Sequence, residues 1–317
     1  MRAHSLLFLL LIPLFCYSQK QANKSEPAFT ALLAQFPQVR DWTMSPNGQE
    51  AYFTVTSAKS DLAVILQTRL GKFNNWNDPT VARFSGRFKD LEPALSPDGL
   101  RLFFATNRNT DQTDTKPDMD IWYVERRNLT AAWSEPIRLP EPVNTTADEF
   151  YPSVAANGNL YFTAVRSGAI GKEDIFISKW NGERYENPIA LTDNINSTGY
   201  EFNSYISSDE SFIIYTAYGR EDDLGRGDLY ISYKNHRGEW TPAQHLGDGI
   251  NSNQLDYCPF YFAPTQTLYF TSERSQLGNT QERIIDIQEL LKVLYSPENG
   301  KGSIYKVDFP LTSIQIN

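Results

Sequence analysis

The sequence predicts an all-β fold, a β-propeller of five four-stranded blades, with six the alternative count. Three observations carry this: a turn phrase recurs along the chain, an aromatic strand follows it each time, and the copies keep a spacing near fifty residues. The copies are "RDWTMSPNGQEAYFTVT" from Arg40, "EPALSPDGLRLFFATNR" from Glu92, "EFYPSVAANGNLYFTAVRS" from Glu149, "EFNSYISSDESFIIYTAYGR" from Glu201 and "DYCPFYFAPTQTLYFTSERS" from Asp256. Aligning Ser45, Ser96, Ala155, Ser207 and Phe262 gives spacings of 51, 59, 52 and 55. A period of this length that persists to the end of the chain means a repeat architecture.

In chain order, the first element is a leader. Arg2 supplies a positive start, "LLFLLLIPLF" (Leu6 to Phe15) is apolar, and "CYS" ends in a small residue, the pattern of a secretory signal peptide over residues 1–18. As a helix the apolar run reaches about 15 Å at roughly 1.5 Å per residue, against a hydrocarbon core of about 30 Å, so no transmembrane segment is read. Phe15 stands where a lipoprotein signal has a small residue, which argues against a lipid anchor on Cys16. The protein is expected to be exported, to the periplasm or beyond the cell, with residues 19–317 forming a single propeller domain. Cleavage leaves Cys258 as the remaining cysteine and no internal disulfide; its neighbours Pro259 and Phe260 mark it as a small core residue.

Each blade is read as four strands. A run such as "EPALS" enters a turn whose Pro, Asp, Asn and Gly residues favour reversal. The second strand is aromatic: "AYFTV", "LFFAT", "LYFTA", "IIYTA", "LYFTS". The third is "DIWYV" at Asp120, "DIFIS" at Asp174, "DLYIS" at Asp228 and, less regularly, "SIYKV" at Ser303, and the fourth follows an X-Pro step, as in "EPIRL" and "NPIAL". "EPAFTALLAQF" from Glu26 matches "EPIRLPEPVN" from Glu135, so the N-terminus brings a fourth strand that completes the last blade, with "FPLTSIQ" competing for that place. A helical insertion is expected near 281–296, where Ile284, Ile287, Leu291 and Leu294 recur at helical spacing, packed on the propeller rim. The loop from Thr106 to Asp120 holds Asp111, Asp114, Asp118 and Asp120 but lacks the spacing and Gly of a calcium loop, and reads as solvated.

"SPDG" followed by "LFFATNR" and "MDIWYV" resembles the TolB-type, WD-like propeller repeat of bacterial envelope proteins, as do the "W...P...L...IN" linkers in "EWTPAQHLGDGINSN". The resemblance covers nearly all of the chain after the leader. It implies the fold and a place in the envelope, and it says little of activity, since such propellers serve as scaffolds, binding modules and domains of enzymes. "SSDES" in blade four and "APTQT" in blade five depart from the turn motif.

The topology puts the linkers that enter strand one on the same face as the loops that leave strand two. That face is charged in register: the linkers supply Asp41, Glu92, Glu149, Glu201 and Asp256, and the exits supply Lys59, Arg108, Arg166, Arg220 and Arg274. Two readings stand. One is a repeated ion pair that holds each loop; the other is a ring of arginine forks, Arg108, Arg166, Arg220 and Arg274, that with these acids binds an anionic group.

The net charge of −9, one more negative without Arg2, sets nucleic acid aside as a partner. Only His236 and His245 follow the leader, in a turn and an outer strand, which sets aside a multi-histidine metal site and leaves little for a Ser-His-Asp arrangement. No Walker loop, nucleophile elbow or Cys-x-x-Cys pair is present, so no cofactor and no metal is expected. The leading expectation is an exported, non-catalytic module that engages an envelope protein or a glycan through this face. The alternative is a carbohydrate-active enzyme, a glycoside hydrolase or lyase, whose acids from neighbouring blades flank a glycosidic bond at about 5 to 10 Å, with Tyr257 or Arg274 assisting.

Overall fold

A computed structural model describes residues 24–108, 118–278 and 284–311. The leader, the lipid-anchor position Cys16 and the Asp111 and Asp114 stretch lie outside them. Among the described residues twenty strands form five separate four-stranded sheets, so the chain is a five-bladed β-propeller. The inner strands are Val39–Met44, Asp90–Leu95, Glu149–Val154, Tyr200–Ile206 and Asp256–Phe262.

The blades exist because the second strands are apolar on both faces. Phe53, Phe104, Phe162, Tyr215 and Phe270 recur at one position and are all buried, each packed against side chains of the same and the adjoining blade. The recurrent turn works as its residues suggest. Ser96 Oγ donates to Asp98 Oδ1 at 2.6 Å, Asp98 accepts from Leu100 N at 2.9 Å, and Gly99 takes φ of 69° where a Cβ would meet Leu129 and Pro46 within 3 Å. The asparagine of the linker motif has an equally local reason. Buried Asn144 accepts from Ile121 N and donates to Ile121 O and Leu139 O, and Asn196 repeats this with Ile175 and Leu191, pinning the outermost strand to the third.

The ring closes by strand exchange. Glu26–Pro27 pairs with the third strand of the last blade, Ser303–Asp308, as its outermost strand. Phe29 follows and stacks on Trp42 of blade one at 4.1 Å and on Tyr269 of blade five at 5.5 Å, bridging the seam. In the insertion a helix runs over Ile287–Leu294, capped by Asp286, which accepts from Glu289 N. The expected packing on the rim is not formed. None of its residues is buried, and Ile287, Leu291 and Leu294 face solvent; the outer edge of this blade is already occupied by the N-terminal strand. Among the described residues no helix is long and apolar enough to cross a membrane.

Phe29→Ala removes both seam contacts, and we expect it to lower stability by about 2–4 kcal/mol in a urea titration; an unchanged midpoint would mean that the seam does not depend on this ring.

Candidate functional site

Two rings of polar side chains run around the axis, two residues apart in the inner strands of blades two to five. In the outer ring, Asp90, Glu149, Glu201 and Asp256 are buried at the start of their strands, and each meets the arginine that leaves its own blade's second strand. The pairs are Asp90 with Arg108 at 2.9 Å, Glu149 with Arg166 at 3.2 Å, Glu201 with Arg220 at 3.0 Å and Asp256 with Arg274 at 3.1 Å. The same guanidinium groups donate to the carbonyls of Phe84, Val143, Ile195 and Ile250, which belong to the linkers entering those strands. Of the two readings that the sequence left open, these contacts form the ion pair. Blade one departs: Val39 takes the acid position, and Lys59 stands exposed outside the ring. Burial raises Glu149 to about 7 against the lowering pull of Thr145 and Arg166, and raises Asp256 against Arg274.

Asp41 and Glu92 are not members of that ring. Counting the repeat spacing from Asp41 gives Glu92, Tyr151, Asn203 and Cys258, and at each of these residues the backbone takes a positive φ, between 52° and 63°. The inner strand loses register at the same place in all five blades. This is a β-bulge, which re-aims a side chain out of the strand's alternation. Pro93, Pro152 and Pro259 follow the bulge in three blades, where a residue without N–H leaves no donor unpaired. The bulged residues thus gather on the axis.

Arg40 organises them. Its Nε donates to both oxygens of Asp41, at 2.8 and 2.9 Å, and its Nη2 reaches Glu92 Oε1 at 3.2 Å, the Tyr151 hydroxyl at 2.8 Å and Cys258 Sγ at 3.4 Å. The backbone N–H of Glu92 donates to Asp41 Oδ2 at 3.1 Å, and that of Tyr151 to Glu92 Oε2 at 2.8 Å. Cys258 donates to Asp41 Oδ1 at 2.7 Å and accepts from Asn203 Nδ2 at 3.1 Å. Burial, reinforced by Asp41, pushes the Cys258 thiol well above its usual range, so it acts as a neutral donor. Burial pushes Glu92 up to about 8; Arg40 opposes the shift and Asp41 adds to it. Burial thus disposes Glu92 to hold a proton, beside the Asp41 side chain clamped by Arg40.

The five bulged residues form the floor of an axial cavity of about 290 Å³. Its walls are largely apolar, with Met44, Leu95, Val154, Tyr205, Phe260 and Phe262 among them. Among the described residues no group of three or more His, Cys, Asp or Glu side chains is placed to hold a metal ion. The repeat spacing applied from Asp41 reaches Tyr151, Asn203 and Cys258, of which the sequence marks only Cys258, and that as a core residue; no repeat marks Arg40.

No protein-family model matches the chain, and no curated protein matches it. Solved structures do. The endo-arabinase from Bacteroides thetaiotaomicron VPI-5482 is similar with a TM-score of 0.51 and 13% identity, over 75% of this chain and 91% of that one. An α-L-arabinofuranosidase from Lactobacillus brevis matches at 0.47 and 14%, over 84% and 90%, and a GH43 endo-arabinanase from Bacillus licheniformis at 0.47 and 9%, over 85% and 93%. Of some longer structures, such as a Mycobacterium tuberculosis puromycin-hydrolyzing peptidase, the chain covers only about two-fifths. At 13% identity the likeness to the endo-arabinase shows the propeller fold alone; the TolB-type resemblance gains no support from it.

The expectation of a non-catalytic module engaging a partner through an arginine ring is corrected here. Its arginines are held in ion pairs within their own blades, and one solved propeller of like fold is described as an endo-arabinase.

Arg108→Ala strips the counter-charge from buried Asp90 and should cost about 3–5 kcal/mol of unfolding free energy, whereas Lys59→Ala should stay within about 0.5 kcal/mol. Equal effects in denaturant titrations would contradict the assignment of the outer ring as structural.

Proposed function

We propose that the protein hydrolyses a glycosidic bond in the axial cavity, with Glu92 as general acid and Asp41 as the partner carboxylate. One observation carries the reading: two buried carboxyl groups from adjacent blades share the cavity floor, and their surroundings differ. Glu92, raised to about 8 by burial, holds a proton to give to the leaving oxygen. Asp41, held by both Arg40 contacts and by the Cys258 thiol, is the group to take a proton from water or to attack the sugar carbon. Arg40 touches both acids and keeps their separation fixed. Tyr205, Phe260 and Phe262 offer aromatic faces to the apolar side of a sugar ring.

Export through the N-terminal leader, and hence a substrate outside the cytoplasm, belongs to the same proposal. The TolB-type turn phrase enters it only as a mark of blade architecture. Arabinan is the first substrate to try, because one solved propeller of like fold is an endo-arabinase.

The test is sugar release from debranched arabinan and from a panel of linear neutral oligosaccharides. Glu92→Gln should lower the rate by about 10²–10⁴-fold, and the wild-type rate should fall as pH rises through about 8, where Glu92 loses its proton. A Glu92→Gln variant as fast as the wild type would refute the assignment. Stability gives an independent reading of the same group. A carboxyl whose value lies at 4.5 unfolded and about 8 folded keeps a proton that the unfolded chain has released, so stability declines between those values and levels off above. Its slope is at most about 1.4 kcal/mol per pH unit. Glu149 adds a similar decline up to about 7. Glu92→Gln should flatten the decline by the Glu92 share and leave that of the other buried carboxyls, Glu149 and Asp256 among them, as read by thermal melts from pH 5 to 9.

A further inference from the structure

The cavity begins at the bulge and runs one way. In every blade its lining starts with the bulged residue and continues toward the turn that ends the inner strand, ending at Val154 in blade three and reaching Pro46, Pro97, Ser208 and Pro264 in the other four. Five strand residues at about 3.3 Å each give a depth of up to about 17 Å. The opposite end is crossed by Arg40, whose contacts span blades one, two, three and five, with the guanidinium 5.5 Å from the Tyr151 ring centroid and 5.0 Å from that of Tyr257. The mouth therefore opens on the face of the Ser-Pro-Asp-Gly turns, opposite the face that carries the ion-paired ring.

We infer that this cavity is a blind shaft open only at the turn face, and that the protein works on the free ends of unbranched glycan chains, releasing terminal sugar units. The inference rests on the catalytic reading of Asp41 and Glu92. A bond in the interior of a chain could reach these acids only if both arms of the chain left through one mouth. At about 290 Å³ the shaft lies at the lower edge of the range of small-molecule pockets, about 300–1,000 Å³, which leaves no room for a doubled chain. A single end, sliding past Tyr205, Phe260 and Phe262, meets no such obstacle. A branch close to the end would be stopped at the mouth.

Access and mode of action are tested together. Cys258 on the floor is the one free cysteine among the described residues, and its reaction with a small methanethiosulfonate at alkaline pH, where the raised thiol begins to ionise, followed by peptide mass spectrometry of the full chain and scored as a rate relative to the wild type, reports access without any need for activity. Ser208→Trp and Pro264→Trp stand at the mouth on two different blades, both at exposed positions. Each should slow labelling of Cys258 at least fivefold at an unchanged melting temperature, and should cut turnover of linear arabino-oligosaccharides by a similar factor. The wild type should release monosaccharide as its sole early product, with little early fall in the viscosity of debranched arabinan. Unchanged labelling in both variants overturns the turn-face mouth. A mixed ladder of early products overturns action at chain ends. Slowed labelling without cleavage of any glycan overturns the catalytic reading, and chain-end action with it, while upholding the shaft.

Discussion

Everything at the axis depends on one backbone constraint, the bulge that each inner strand makes at the same residue. A non-glycine residue held at positive φ costs about 1–3 kcal/mol, and this chain accepts that cost five times, at Asp41, Glu92, Tyr151, Asn203 and Cys258. An unbulged strand would send these side chains alternately between the blades, where Phe53, Phe104 and their equivalents leave no space for a carboxylate. The bulge instead turns them inward. It also frees backbone N–H groups, and the side chains of the ring absorb them: Asp41 accepts from the bulge of blade two, and Glu92 from that of blade three. Strain and its relief are thus built from the same residues, which holds the floor of the cavity in one geometry.

The two rings divide the work of charge. In the outer ring a buried acid, an arginine and a linker carbonyl recur blade after blade, and each triad fastens the chain as it crosses from one blade to the next. In the axial ring the symmetry is broken. A single arginine serves two carboxyl groups, a phenol and a thiol, and no two blades contribute the same side chain. Repetition suits a structural task, whereas chemistry on one bond needs unlike groups around one point. The difference between Glu92, raised by burial, and Asp41, clamped by Arg40, is the kind of asymmetry that separates an acid from its partner.

The fold was legible because its signals are local and repeated. Turn chemistry at Ser96 to Gly99, the aromatic second strands and the match of Glu26 to Glu135 gave the blade count and the strand that closes the ring. The site was only half legible. Asp41 and Glu92 stand out as acids, but the sequence groups them with Glu149, Glu201 and Asp256, which lie two residues earlier in the repeat. A bulge has no sequence signature of its own, and the proline after it in three blades is equally at home in an ordinary edge strand. Arg40 was invisible for another reason: no equivalent residue recurs in the other blades, so a reading built on repetition passes over it. Cys258 looked like core because its neighbours are apolar; it is buried, but against Asp41.

The most direct measurement is a crystal structure of the Glu92→Gln protein with a linear oligosaccharide that the wild type cleaves. The account predicts a chain end lying in the shaft from the turn face, with a glycosidic oxygen about 3 Å from the side chain at position 92 and Asp41 across the same bond. A sugar bound on the ion-paired face, or a chain in the shaft whose nearest glycosidic oxygen lies far from both positions, would contradict it.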